Sequence, residues 1–213
     1  CRYSVGFFIF VVSANSRMEL SAAQRERYER NLLVEGFTDR MQQALIAARV
    51  AVVGAGGLGS AALNYLVAAG VGHLTLIEND TVSLSNLQRQ VLYTTADMGR
   101  PKAEVAAMRL SRLNPGCDIR VVTDRLTAAN AAGLLGGHDA VVDCTDNYDA
   151  RYVIDDFCRE AEVPMIYGTA EAVGGQVAVF HAGGAGGYRD LYPERASQKP
   201  VVGVLSPIVG VIG

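Results

Sequence analysis

Val50-Ala51-Val52-Val53-Gly54-Ala55-Gly56-Gly57-Leu58-Gly59 joins a short apolar run, largely β-branched, to a glycine loop. A run of that length without polar alternation has the form of a strand buried on both faces of a parallel sheet. The loop fits Gly-x-Gly-x-x-Gly directly between a strand and a helix, where glycines allow a tight turn and the close approach of phosphate to helix-terminal amides. The competing reading is a glycine turn needed only for strand–helix packing.

Outward from the loop, Gly57 to Ala69 is rich in alanine and leucine and predicts a helix that stops at Gly70 and Gly72. His73 to Ile77 predicts the second strand, completing one βαβ unit. Pro101 opens a helix to Leu113, and strands at Asp118 to Val122 and Ala140 to Asp143 flank a helix near Ala128 to Leu135. A helix over Asp149 to Ala161 and strands at Pro164 to Tyr167 and Gln176 to Phe180 follow. This alternation specifies an α/β fold, a Rossmann-like mostly parallel sheet with helices on both faces, with ligands at the carboxyl ends of the strands. Ahead of it, Ser21 to Val34 is polar with spaced apolar residues, and Ser21 with Gln24 forms a capping box. Met41 to Ala48 fits a second short helix, so the sheet carries an N-terminal helical extension. Glycines within Ala182 to Gly187 mark a mobile loop, and Tyr188 to Pro200 reads as a polar surface crossover.

The chain has 213 residues, 50% of them hydrophobic, with a mean hydropathy of +0.18, enough for one sizeable α/β core. A net charge of −3 gives no global attraction to polyanions, so phosphate must be bound by locally placed cations and amides, and nucleic acid is not an expected partner. Cys1, Cys117, Cys144 and Cys158 show no Cys-x-x-Cys spacing and read as reduced thiols of a cytoplasmic protein. Val5 to Val12 is too short to span a membrane. Residues 1–17 are expected to be a non-native or upstream extension, Met18 the start, and 18–213 a nucleotide-binding domain. The apolar run from Val204 to Gly213 reads as a truncated C-terminus.

Glu78 closes the second strand about 20 residues beyond the loop, where a carboxylate accepts from both ribose hydroxyls of an adenosine, with Asp80 as a nearby rival. Ser85-Asn86-Leu87-Gln88-Arg89-Gln90 then adds amide donors and one cation, and Lys102 adds another. A nicotinamide-dependent oxidoreductase, the alternative from another enzyme class, needs open space here, whereas two cations suit a triphosphate. Arg89 can fork two phosphate oxygens and Lys102 acts as a point charge. Asp143-Cys144-Thr145-Asp146-Asn147 follows the fourth strand at the same sheet edge. There Asp146 can hold Mg²⁺ together with substrate phosphates, or cap the next helix; Asp143 reads as a structural strand-end group.

Together with Arg27-Tyr28-Glu29-Arg30, Pro101-Lys102 and Leu113-Asn114-Pro115, these segments resemble the ThiF/MoeB/HesA family, bacterial relatives of ubiquitin-activating enzymes, from about Leu20 to Gly213. The resemblance implies an ATP-dependent adenylyltransferase that activates the C-terminal glycine of a ubiquitin-like sulfur-carrier protein, ThiS-like or MoaD-like, for thiamine or molybdopterin synthesis. It places Gly57 and Glu78 on the adenosine side and Asn86, Arg89 and Lys102 on the phosphates, with Gly54, Gly56, Gly59, Ser85, Leu87 and Gln88 also among the nucleotide-binding residues. Asp146 holds Mg²⁺ with Asn147 beside it, and Arg30 reaches the nucleotide from the partner subunit of a homodimer. The family shares its fold and adenylation chemistry with the tRNA threonylcarbamoyladenosine dehydratase, a further alternative.

Position 78 is Glu where the family usually has Asp. The family's common zinc site needs a first Cys-x-x-Cys near 187–191, where this chain has Gly-Tyr-Arg-Asp-Leu, so no structural zinc is expected. Leu191 to Leu205 contains no cysteine, so sulfur transfer is expected to fall to another protein. The Tyr188 to Pro193 variant resembles some ThiF-like proteins and leans towards the thiamine pathway.

Overall fold

The computed structural model describes residues 19–193 and 203–213; the expected extension over 1–17, Met18 and part of the crossover to Pro200 lie outside the described residues. Strands β1 (Arg49–Val53), β2 (His73–Ile77), β3 (Asp118–Val122), β4 (Ala140–Asp143), β5 (Met165–Glu171) and β6 (Gly174–Phe180) form one sheet in the order β3-β2-β1-β4-β5-β6. All neighbours are parallel except β5 and β6, which pair as an antiparallel hairpin from Met165 opposite Phe180 to Glu171 opposite Gly174. Strand order reverses between β1 and β4, and a crevice opens there because the loops after these strands turn to opposite faces.

Alternate residues of β1 serve different cores, as expected of a strand covered on both faces. Val50 and Val52 pack with Leu63 and Val67 of α4 (Gly57–Ala69) and with Val105 and Leu110 of α5 (Lys102–Leu113). Ala51 and Val53 pack with Leu135 of α6 (Ala131–Leu135) and with Tyr152, Ile154 and Cys158 of α7 (Tyr148–Ala161). Burial pushes the Cys158 thiol up to about 12 and raises the Cys144 thiol as well, so both stay protonated.

Three departures from the sequence reading have local causes. The first expected helix is split into α1 (Ala22–Arg27) and α2 (Glu29–Leu32) at Tyr28, which turns inward to accept from Asn114 Nδ2 at 2.9 Å; the Ser21–Gln24 capping box is present. The helix expected from Ala128 begins only at Ala131, because the Thr127 amide donates to Asn130 Oδ1 and holds the preceding residues in a turn. Tyr188 is no surface residue: it opens the short α8 (Tyr188–Leu191) and is 1% exposed among Tyr152, Tyr167, Phe180 and Tyr192. Beyond α3 (Asp39–Ala47), already anticipated, the apolar end forms α9 (Ser206–Ile212), which packs on α4, β5 and β6.

Candidate active site

The glycine loop turns at Gly54, whose φ of +96° is open to glycine, and a side chain there would meet the Cys144 carbonyl at 2.7 Å. Gly59 is needed for packing, since a Cβ would lie 2.2 Å from the Gly54 oxygen. Tyr93, 4% exposed, clamps the loop by donating its hydroxyl to the Ala55 carbonyl at 2.9 Å. The first α4 amides therefore face a cleft of about 1100 Å³ at the switch point between β1 and β4.

Gly54, Gly56, Gly57, Glu78, Gln88, Arg89, Lys102, Asp146 and Asn147 all line this cleft. Glu78 lines it and uses both oxygens on the backbone: Ala55 N–H donates to Oε2 and Asp80 N–H to Oε1, each at 2.8 Å. Each oxygen keeps a second lone pair, so ribose hydroxyls can still be met. The longer side chain at this position thus ties the glycine loop to the turn after β2.

Asp80 continues this chain. Its carbonyl accepts from the Lys102 amide at 2.9 Å, and its carboxylate from Lys102 Nζ at 2.5 Å. The Lys102 side chain is 4% exposed and the Asp80 side chain 62% exposed. Burial pushes the Asp80 carboxyl up, but the Lys102 hydrogen bond and the Thr81 amide outweigh it and hold the group below the usual carboxylate range. Lys102 is therefore a buried cation whose counter-ion is open to solvent.

The Ser85–Gln90 stretch divides in two. The single turn at Leu84–Asn86 sends Gln88, Arg89 and Gln90 into the cleft, while Ser85, Asn86 and Leu87 lie outside its lining. Those three support the turn: Ser85 O accepts from Arg89 Nη1 at 3.2 Å, Asn86 O accepts from the Gln90 amide at 3.0 Å, and Leu87 packs on the core. Gln88 Oε1 accepts from Ser206 Oγ at 2.7 Å, so α9 is pinned beside the loop and Val209 forms part of the cleft wall over Gly57.

On the β4 side Asn147, not Asp146, caps α7, with its side chain accepting from the Ala150 amide at 2.9 Å. The cap alternative for Asp146 is thereby corrected, and its exposed carboxylate faces the cleft. Asp143 is fully buried and accepts from the Thr145 amide and hydroxyl at 2.9 and 2.6 Å. Its other oxygen lies 3.3 Å from Arg151 Nε, and Arg151 Nη2 donates to the Thr145 carbonyl at 2.8 Å. Burial pushes the Asp143 carboxyl up, and the guanidinium with the Thr145 donors offsets this only in part. Arg151 stays charged, because Asp143 outweighs its own burial.

Arg151 was missed in the sequence, although its signal was there: a cation on the inward face of an amphipathic helix, between Tyr148 and Tyr152. The segment Asp124 to Ala128, which also lines the cleft, was not read as part of the site. Arg30 does not reach this cleft within one chain; its side chain is 88% exposed beside Glu29. Among the described residues no group of three or more His, Cys, Asp or Glu side chains could hold a metal ion, and no helix is long and apolar enough to cross a membrane.

A family model described as the ThiF family matches residues 28–213. The chain belongs to the ThiF family. Its likeness to individual members is high: 45% identity over 199 residues to the molybdopterin-synthase adenylyltransferase of Escherichia coli, covering 92% of this chain and 80% of that one. The sulfur carrier protein ThiS adenylyltransferase of the same organism is 40% identical, covering 88% and 76%. Among solved structures, the ThiF-family chain resembles E. coli tRNA N6-threonylcarbamoyladenosine dehydratase in complex with ATP, with TM-score 0.66, 30% identity, and 72% and 68% of the two chains covered. The fold of PaaA is also similar, with TM-score 0.77 at 23% identity, over 93% of this chain and 64% of that one. The family and Rossmann-like fold expected from the motifs are thus met.

Proposed function

We propose that the chain is an ATP-dependent adenylyltransferase that activates the C-terminal glycine carboxylate of a ubiquitin-like sulfur-carrier protein as an acyl-adenylate. The observation that carries this reading is the convergence of Arg89, Lys102 and Asp146 on the cleft that holds the glycine loop. In the reaction the carrier carboxylate attacks the α-phosphate, the bond to the bridging oxygen breaks, and pyrophosphate leaves. Little is asked of the protein beyond alignment and charge neutralisation. Helix-terminal amides orient the phosphates, Lys102 exchanges Asp80 for a phosphate oxygen, and Arg89 spreads its fork over the leaving group.

Asp146 fits Mg²⁺, since a carboxylate open to the cleft plus substrate phosphates is the usual donor set for that ion. Such an ion supplies further neutralisation of the phosphate charge. Arg30, solvent-exposed in one chain, serves the site of a second copy, so the active form is a homodimer in the cytoplasm. Zinc, membrane and nucleic acid have no part in this reading. Two cations at the phosphate end disfavour a nicotinamide oxidoreductase.

The decisive experiment is carrier-dependent exchange of labelled pyrophosphate into ATP, with MoaD-like and ThiS-like carriers in parallel. The expected result is exchange with one of them; identity of 45% against 40% puts the MoaD-like carrier first, although the Tyr188 to Pro193 variant leans the other way. Exchange supported only by tRNA would move the assignment to a dehydratase-like activity.

A further inference from the structure

Gln90 ends the polar turn and has no task in the scheme above. It is 4% exposed and lines the cleft, and its Nε2 lies 3.6 Å from the point where a side chain on Gly56 would begin. Its Oε1 is buried with no hydrogen-bond partner. An orphaned buried acceptor is a standing cost, which a methionine of similar size would remove. The other end of the same amide, Nε2, is the donor that faces the glycine loop.

The backbone on both sides of Gln90 is bolted down. Its amide donates to Asn86 O at 3.0 Å, its carbonyl accepts from the Tyr93 amide at 3.1 Å, and the Tyr93 hydroxyl closes on Ala55 O. The side chain is thus held against the glycine loop before any ligand arrives. Gly57, the next loop residue, has the Arg89 Cγ 3.4 Å from its own Cβ position, so the loop has a neutral donor near Gly56 and the aliphatic stem of Arg89 near Gly57.

We propose that Gln90 is a further phosphate-binding residue, its Nε2 donating to an oxygen of the nucleotide's phosphate chain beside Gly56. The inference rests on the nucleotide reading of the cleft and adds a contact to it. A neutral donor adds binding without adding charge next to Arg89 and Lys102.

The test is calorimetric titration of the full chain with ATP, inorganic tripolyphosphate and adenosine, for the wild type, Gln90→Met and Gln90→Glu. Gln90→Met is expected to weaken ATP and tripolyphosphate about tenfold and leave adenosine unchanged. Gln90→Glu, which places an acceptor and a charge there, should weaken both further. ATP affinity indifferent to either substitution overturns the inference and leaves the nucleotide reading standing. Parallel weakening of ATP and adenosine also overturns it, by marking Gln90 as a structural support of the turn. A wild type that binds no ATP overturns both. Where Gln90→Met fails to fold, the shape-conserving Gln90→Glu carries the test, and the Gln90 side-chain amide signals of the nitrogen-labelled wild type carry it without substitution, moving with tripolyphosphate and not with adenosine.

Discussion

On the β2 side of the cleft, the Ala55 amide, Glu78, Asp80 and Lys102 form an unbroken hydrogen-bonded chain drawn from two short stretches of sequence and one helix start. On the β4 side, the exposed Asp146 rides on a loop that is fixed from beneath by Asp143 and Arg151, two buried charges whose nearest atoms are 3.3 Å apart. The first wall is set by backbone amides and pairs a buried lysine with a wet counter-ion. The second is set by an ion pair that cannot be weakened without moving the loop above it.

Removing the guanidinium should have the largest effect and would show whether the β4 wall depends on it. Arg151→Met strips the fully buried Asp143 of its counter-charge, and urea unfolding is expected to show a loss of about 3–5 kcal/mol. A loss below about 1 kcal/mol would mean the two walls are built alike. Next, Lys102→Ala should lower the pyrophosphate-exchange rate by roughly 100- to 1000-fold, as expected when one preorganised charge is taken from a phosphoryl site. An unchanged rate would leave the β2 wall without its catalytic role.

A smaller effect is expected at Asp97, which accepts from the Thr94 amide and hydroxyl at 2.8 Å and sits beside Arg109 and Arg100. Burial pushes its carboxyl up, but these donors and charges outweigh it and hold the value below the usual range. A depressed folded-state value contributes stability above the unfolded value, about pH 4, and loses it as pH falls through the folded value. Asp97→Asn should therefore cost about 1–3 kcal/mol at pH 7 and progressively less below about pH 4, followed by denaturant melts at both pH values. The smallest effect sharpens the contrast most. Asp80→Asn removes the resident anion while its backbone carbonyl still holds the Lys102 amide, so ATP should bind a few-fold more tightly, roughly threefold, by titration. Weaker binding would show that Asp80 positions Lys102 and does not merely occupy it.

The two walls were not equally legible. The strand run, Glu78 at its expected distance, and Arg89 with Lys102 are local patterns, and their helices and strands are where periodicity placed them. Four of the strands the sequence predicted agree to within a residue: Arg49–Val53, His73–Ile77, Asp118–Val122 and Ala140–Asp143. The hairpin strands β5 and β6 ran longer than their apolar runs because antiparallel pairing with each other extends them past the last buried residue. Arg151 escaped notice because a single arginine in a helix looks like surface until the helix is seen to lay that face on Tyr167. That Asn147 caps α7, where the sequence offered Asp146 as the alternative cap, also could not be read, since either side chain can cap and only the backbone path decides which one does.

What the sequence determined by itself is the doubly wound sheet, the family and the glycine loop between strand and helix, because glycine stereochemistry and strand burial act over a few residues at a time. What only the tertiary structure decided is which polar groups are already engaged. Glu78 accepts from two backbone amides, Lys102 is paired with Asp80 and Arg151 with Asp143, while Gln90 keeps a buried acceptor without a hydrogen-bond partner. Those pairings depend on desolvation and on distances of about 3 Å between segments far apart in the chain, and no local pattern encodes them.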